Sequence, residues 1–403
     1  DGKVKPSRRF VRKNKTVAGQ KVGGFSASTP AGNTGRKAVG LGKTPRVKGG
    51  GGNGGGDGKG VKKKVMKCNS KCLWMVHPKN LVEQEELFLN GEIQNPCFEY
   101  ENEDALSVVL SAFKVREGMF DLAVSILDDC ISRFNKESSF LEHDGGSILP
   151  QESVEEQVNK YLSEMNLENK INVNFTSEKI SPTSVIHDPK TRKTRLMIAI
   201  PITYREKRMN GVLNHEIGTH YLRKMNGKKQ KWYKNKKKKL ELKPYIESEE
   251  GFAAINQVLD ASNDPNRVPY LWTQALYYYA AVQGSKMNFR ELYDDLAKYI
   301  DDPKRRWKQC VRVKRGLKDT SIAGGLYKDQ VYFEGAVRVL QLRHEIDFRY
   351  LYAAKLHVED CLRPEIQKLV NLDNVIMPRF YSDDPEGYVR SLDRIAEVNH
   401  IIQ

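Results

Sequence analysis

Two histidines five residues apart, His215 and His220, with Glu216 beside the first, constrain this chain more than any other feature. Imidazoles and a carboxylate so placed suit a hydrolytic zinc site. Zinc takes three protein ligands and keeps one position open for water, and an adjacent glutamate can serve as general base. The spacing sets a geometric demand. On an α-helix, residues four apart lie about 40° apart around the axis, and residues five apart about 140°. Two imidazoles that far round cannot share one ion. An extra residue taken up in a π turn brings them back to one face. Gly218, inside the stretch, eases the distortion because it lacks a Cβ. The sequence therefore predicts an i→i+5 hydrogen bond in this turn.

A third ligand must come from elsewhere. Glu249-Glu250-Gly251 follows about one helix downstream. Adjacent helical residues point about 100° apart, so only one of the two acids can face the ion. Glu250 is the first choice, Glu249 the second, and Glu247 a further candidate. Gly251, Ala253 and Ala254 are small enough to let another helix approach closely, which a short carboxylate ligand requires. A second His-Glu pair, His344-Glu345, has Phe348 and Arg349 where a partner histidine is needed, and His344 is read as structural.

The charge is distributed unevenly. Residues 1–67 carry 18 Lys/Arg and 2 Asp/Glu, so the formal excess of +16 lies wholly there. That segment is rich in glycine and poor in aromatics, so it cannot bury enough apolar surface to offset chain entropy. It is expected to be a disordered basic arm that seeks a polyanion: nucleic acid, an acidic membrane or an acidic protein surface. Six cysteines are too few for a disulfide scaffold in 403 residues. Cys68 and Cys72 resemble half a zinc finger, but no partner pair follows. No apolar run approaches the roughly 18 residues of a membrane span, and no signal peptide is recognisable at the charged N-terminus. A reducing, cytoplasmic setting is expected.

Residues 68–403 are expected to fold, as a helical part over 68–165 and a core holding the metal site over 166–403. Apolar spacing predicts helices over 103–115 and 119–135, and a capping box at Ser153 opens one to about Met165. Alternation over 171–175, 185–187 and 195–200 predicts three strands, the last two joined through Asp188-Pro189-Lys190. The helix bearing the histidines is expected over 203–226, limited by Pro201 and capped by Gly227. Helices over 249–260, 265–281 and 287–300 follow. The lysine-rich stretch 228–239 reads as a solvated loop whose ends are anchored at the proposed ligands. The expected class is α+β, mostly helical, with a small sheet ahead of the metal-binding helix.

The run His215 to Arg223, the later Glu249-Glu250-Gly251-Phe252-Ala253, Arg315-Gly316-Leu317, Asp319-Thr320-Ser321, Gly324-Gly325 and the stretch Lys328 to Gly335 together resemble the microtubule-associated tyrosine carboxypeptidases. The resemblance covers roughly residues 68–403. It implies a gluzincin-like zinc metallopeptidase that removes the C-terminal tyrosine of α-tubulin on microtubules. His215, His220 and Glu250 would then be metal ligands and Glu216 the base. Tyr332 and Lys328, four apart, are candidates for stabilising the oxyanion. Arg223, Arg315 and Lys328 are candidates for holding the substrate's terminal carboxylate. Tubulin tails are acidic, so they complement both the arm and the lysine-rich stretch; nucleic acid is the less favoured partner of the arm.

Overall fold

The computed structural model describes residues 75–177, 182–188, 190–236 and 239–402. The expected basic arm, Cys68 and Cys72, and Pro189 of the expected turn lie outside the described residues. The architecture is α+β and mostly helical, with one three-stranded sheet.

Among its helices are α1 (Leu81–Leu89), α2 (Phe120–Phe134) and α3 (Gln151–Glu164). In α2, Ala123, Ile126, Leu127 and Cys130 are buried at helical spacing, forming a stripe against a later helix. Fully burying each aliphatic side chain contributes about 1.5–3 kcal/mol. Helix α3 starts at Gln151 with Pro150 as N-cap, so the expected capping box at Ser153 is not used. The helix predicted over 103–115 is a 3₁₀ turn followed by Leu106–Ser111. Beyond it, Gln330 clamps the Arg116 backbone, accepting from its N–H and donating to its carbonyl.

The sheet follows: β1 (Ile171–Thr176), β2 (Thr183–His187) and β3 (Thr194–Ala199), in the order β1-β3-β2. β3 pairs parallel with β1 and antiparallel with β2. Thr194, Leu196 and Ile198 turn inward while Arg195 is exposed, giving one buried face. β2 lies at the edge and packs on the histidine-bearing helix.

That helix begins at Met209, six residues later than expected. Residues 201–208 instead use their backbone on the preceding segment: Glu206 N–H donates to Ser147 O, Lys207 N–H to Gly145 O, and Tyr204 O accepts from Leu149. It comprises α4 (Met209–Leu213), a π segment (Asn214–Tyr221) and α5 (Leu222–Lys229). Gly227 does not cap it. The helix runs through this buried glycine, where an added Cβ would sit 3.4 Å from the Ala354 Cα. The stretch 228–239 is not a simple loop either. The helix Lys231–Lys236 follows a bend at buried Gln230, which holds Asn371, and Trp232 is buried.

Next come α6 (Ile246–Gln257), α7 (Trp272–Gly284), α8 (Pro303–Lys314), α9 (Gln330–Gln341), α10 (Phe348–Ala353) and α11 (Pro385–Val398). Helix α7 is buried nearly all round and lies at the centre, with α2, α8 and α9 against it. It starts at Trp272 rather than 265 because Asn399 occupies the backbone before it, accepting from Leu271 N–H and donating to Pro269 O. The helix expected over 287–300 is Phe289–Asp295, capped by an Asn288–Glu291 box and continued by a 3₁₀ turn. Phe88 of α1 meets Phe289, Tyr293 and Trp307, so the early helices share one core with the late ones.

The crossing of α6 with α9 is unusually tight. A Cβ on Gly335 would lie 1.8 Å from Glu247 O, and one on Gly251 would lie 2.1 Å from Ala336 N. Only glycines at both positions permit this approach, which carries the Glu249-Glu250 pair toward the π segment.

Candidate metal centre and its surroundings

The π segment meets the demand set by the five-residue spacing. Leu222 N–H donates to Ile217 O, five residues back, and the Thr219 hydroxyl donates to Asn214 O at 2.8 Å. A buried polar network supports the widened turn. Tyr161 donates to Asn214 Oδ1, Asn256 donates to Thr219 Oγ1 and Tyr352, and Tyr388 donates to Asn256 Oδ1. Gly218 is required by contact as well as by backbone freedom: a Cβ there would sit 2.7 Å from the Tyr161 hydroxyl and 2.8 Å from the Phe380 ring.

The result is convergence. His215 Nε2 and His220 Nε2 lie 3.2 Å apart, with their rings nearly perpendicular at 81°. Glu250 Oε2 lies 3.5 Å from His220 Nε2. One ligand atom from each of the three residues falls within 4.8 Å of the others. Ligands around a tetrahedral zinc with bonds of about 2.1 Å are separated by about 3.4 Å. The His215–His220 and His220–Glu250 separations match that figure, and the third pair lies within 4.8 Å.

Glu249 faces the other way around α6, as the 100° step requires. Its carboxylate accepts from His220 Nδ1 at 2.8 Å, Arg223 at 2.6 Å and Lys355 at 2.5 Å. With Nδ1–H committed to Glu249, Nε2 is the nitrogen of His220 that faces Glu250 and His215, and it serves a metal once its proton leaves. With no ion bound, the electrostatics favour a proton on that Nε2 as well. Burial works against a charged His220, yet Glu250 and Glu249 outweigh it and hold its pKa well above the usual imidazole range. Burial also opposes ionised Glu250, but His220, with Lys328 assisting, holds it down at about 2. Burial and the charge on His220 lower His215. Arg223 and Lys355 compensate ionised Glu249, and charged His220 with Lys328 compensates Glu250, a role that a bound metal cation would take over from the His220 proton. Glu247 is taken up elsewhere, 4.0 Å from Arg116.

Glu216 sits between the candidate ligands and the sheet. Its Oε2 accepts from Val185 N–H of β2 at 3.0 Å, which fixes the carboxylate beside the histidines. The Tyr204 hydroxyl is buried without a hydrogen-bond partner among the described residues, and its pKa is raised by burial and by Glu216. Sequence reasoning missed Tyr204; a lone tyrosine in an irregular segment gives no periodic signal.

The opposite wall comes from α9 and the residues before it. Tyr332 is half-buried, and its hydroxyl is pushed well up by desolvation and by Glu250; Lys328 also acts on Glu250. The structure thus brings Tyr332 and Lys328 to the ligand cluster. Tyr277 meets Tyr332 edge-on at 5.9 Å and carries the Arg312 guanidinium 3.9 Å from its ring centroid. Arg312 in turn holds Asp329 at 2.7 Å, with Arg315 on the same oxygen at 3.4 Å. Arg315 therefore stands behind Lys328, and neither Tyr277 nor Arg312 was anticipated.

Arg223 is the clear correction. It has 0% exposure and no face toward a substrate. Besides Glu249, its guanidinium donates to the carbonyls of Leu351, Ala354 and Leu356. It locks α5 to the end of α10 and orients Glu249. His344 is paired with Asp393, far from the cluster in role, as expected of a structural residue.

Residues 114–400 match the profile of the microtubule-associated tyrosine carboxypeptidase family. This chain belongs to that family. A Mus musculus relative carrying the name MATCAP2 is 34% identical over 334 residues, which is 82% of this chain and 62% of that protein. The Homo sapiens microtubule-associated tyrosine carboxypeptidase 1 is 34% identical over 341 residues, covering 82% of this chain and 69% of its own length. The chain thus spans less than two thirds of the first of these relatives. The family match takes in all of the π segment, the ligand helix α6 and the α9 wall. Among the described residues no helix is long and apolar enough to cross a membrane.

Proposed function

We propose that this chain is a zinc-dependent, gluzincin-like carboxypeptidase that removes the C-terminal tyrosine of α-tubulin. The observation that carries the reading is the convergence of His215, His220 and Glu250 within 4.8 Å, in a chain of this family. Bound by those three residues, zinc supplies Lewis acidity toward a carbonyl and toward water. Glu216, fixed by the Val185 N–H, takes the proton of the attacking water and returns it to the leaving amine. Tyr332 donates its hydroxyl hydrogen to the carbonyl oxygen as negative charge develops there. Lys328 pairs with the terminal carboxylate, and Arg315 supports it from behind through Asp329.

The surroundings suit an acidic peptide. Lys224 lies on α5 one turn beyond His220, close enough to Lys355 and Lys228 that burial and their charges lower its pKa. Such a strip raises the local concentration of anionic chains. The basic arm over residues 1–67 adds a second attachment to the microtubule and places the enzyme on the cytoplasmic cytoskeleton. Linking the two raises effective concentration without any new contact, and binding weakens with salt.

The test is mass spectrometry of acidic peptides incubated with the zinc-loaded chain. A peptide ending in a free tyrosine loses that residue, and an amidated one does not. Equal cleavage of both refutes the carboxypeptidase reading. Retained turnover in Glu216→Gln refutes the role of the base.

A further inference from the structure

Lys314, the last residue of α8, is fully buried, yet no carboxylate lies within ion-pair distance of it among the described residues. Its acceptors are four backbone carbonyls. Nζ donates to Gly284 O at 2.9 Å, Gly324 O at 2.9 Å and Ile322 O at 3.4 Å, and closely to Met287 O. Three N–H bonds shared among four carbonyls make a cation cage, and a helix C-terminus favours positive charge in it. The cage joins two segments distant in sequence: the end of α7 and the 322–324 turn.

The same helix end grips the rest of that loop. Leu326 N–H donates to Val313 O at 2.7 Å, and Gly324 N–H to Gly284 O at 3.0 Å. Gly324 has φ +115, and a Cβ on Gly325 would sit 2.4 Å from Val313 O, so the glycine pair is needed for the approach. Arg312 and Arg315 then hold Asp329. Cations at 312, 314 and 315 thus fix the chain from Ile322 to Asp329, immediately before Tyr332.

We propose that Lys314 is a positioning residue for the substrate wall: an internal ammonium, standing where a small monovalent cation could bind, that fixes the 322–329 loop so that Lys328 faces Glu250. Its meaning for substrate rests on the carboxypeptidase reading; the cage itself does not.

The test compares zinc-loaded Lys314→Ala, which empties the cage, with Lys314→Met, which fills it with an uncharged stem. Each is melted, and assayed on a peptide ending in free tyrosine, in methylammonium chloride and in equal tetramethylammonium chloride, whose cation is too large to enter. Lys314→Ala is expected to raise KM about tenfold, the loss associated with charge-assisted hydrogen bonds, while kcat changes less than about threefold. Methylammonium restores its KM and raises its melting temperature; tetramethylammonium does neither, and Lys314→Met responds to neither salt. A folded Lys314→Ala with parental KM overturns the proposal, as does a loss confined to kcat or an equal response to both salts. Should Lys314→Ala not fold, Lys314→Gln decides: amide exchange over residues 324–329 must quicken, and parental exchange overturns the proposal. If the parent leaves the peptide uncut, the carboxypeptidase reading fails, while the methylammonium-dependent melting of Lys314→Ala still decides the cage.

Discussion

Replacing Arg223 by Met separates two roles that the sequence alone leaves open for it. As a substrate-binding cation, its loss would raise KM and leave the fold untouched. The structure places it at 0% exposure with its donors committed to Glu249 and to three carbonyls. Met keeps much of the stem but leaves those three acceptors without that donor and leaves Glu249 with Lys355 and His220 alone. Breaking a buried ion pair by removing one partner costs about 3–5 kcal/mol. Lys355 stays on Glu249 and moderates that, while the freed carbonyls add to it, and the terms are not additive. About 4 kcal/mol is the resulting expectation, a fall of about 6 °C in melting temperature for a domain of this size. Glu249 also orients His220 through Nδ1, and loss of such an outer partner lowers metal affinity about 10–100-fold. Thermal melting of the metal-free chain and a competition titration with zinc read the two effects separately. A variant that melts within about 2 °C of the parent and raises only KM would mean that Arg223 reaches substrate after all, and the packing argument would be wrong.

Glu216→Gln should lower turnover about 10³-fold, within the range of general-base catalysis, with melting and zinc affinity unchanged; a parallel loss of metal would instead make Glu216 a ligand. Gly251→Ala puts a Cβ 2.1 Å from a backbone nitrogen of α9, so it should destabilise by about 1–3 kcal/mol and weaken zinc binding through its neighbour Glu250. Gly118→Ala, with nothing within 4 Å of the added Cβ, serves as the neutral control, and equal effects of the two would dismiss the close-crossing argument. Asp329 is held at about 2 because Arg312, then Arg315, outweigh its burial. Its folded pKa lies below the unfolded value of about 3.9, so the stability it contributes is present above that value and is lost as pH falls through about 2. Melting of Asp329→Asn should therefore fall less steeply than that of the parent between pH 5 and pH 2; identical slopes would show that the pair contributes nothing.

What could be read from the chain, and what could not, divides by the range over which each constraint acts. The π turn was legible because it is local: five residues between two histidines leave a regular helix no means of presenting both to one ion, and the structure answers with the Leu222–Ile217 bond. The choice between Glu249 and Glu250 was half legible. The 100° step says that one must turn away, but only the positions of His220, Arg223 and Lys355 determine which. Arg223 misled for the same reason. Its neighbours in sequence are those of a cation near a catalytic cleft, while its actual partners, the carbonyls at 351, 354 and 356, come from more than 120 residues away. Gly251 signalled that something must come close, without naming Gly335 as the other half of the crossing. Helix ends failed where distant backbone claimed the donors, as Ser147 and Gly145 do ahead of Met209. Of the residues hidden from sequence, Tyr204 lies in an irregular segment, while Tyr277 and Arg312 lie on α7 and α8, whose periodicity marks a helix but not a role at the centre. Each acts on the centre only because a remote segment folds over it, and so a variant at any of them tests tertiary placement rather than motif.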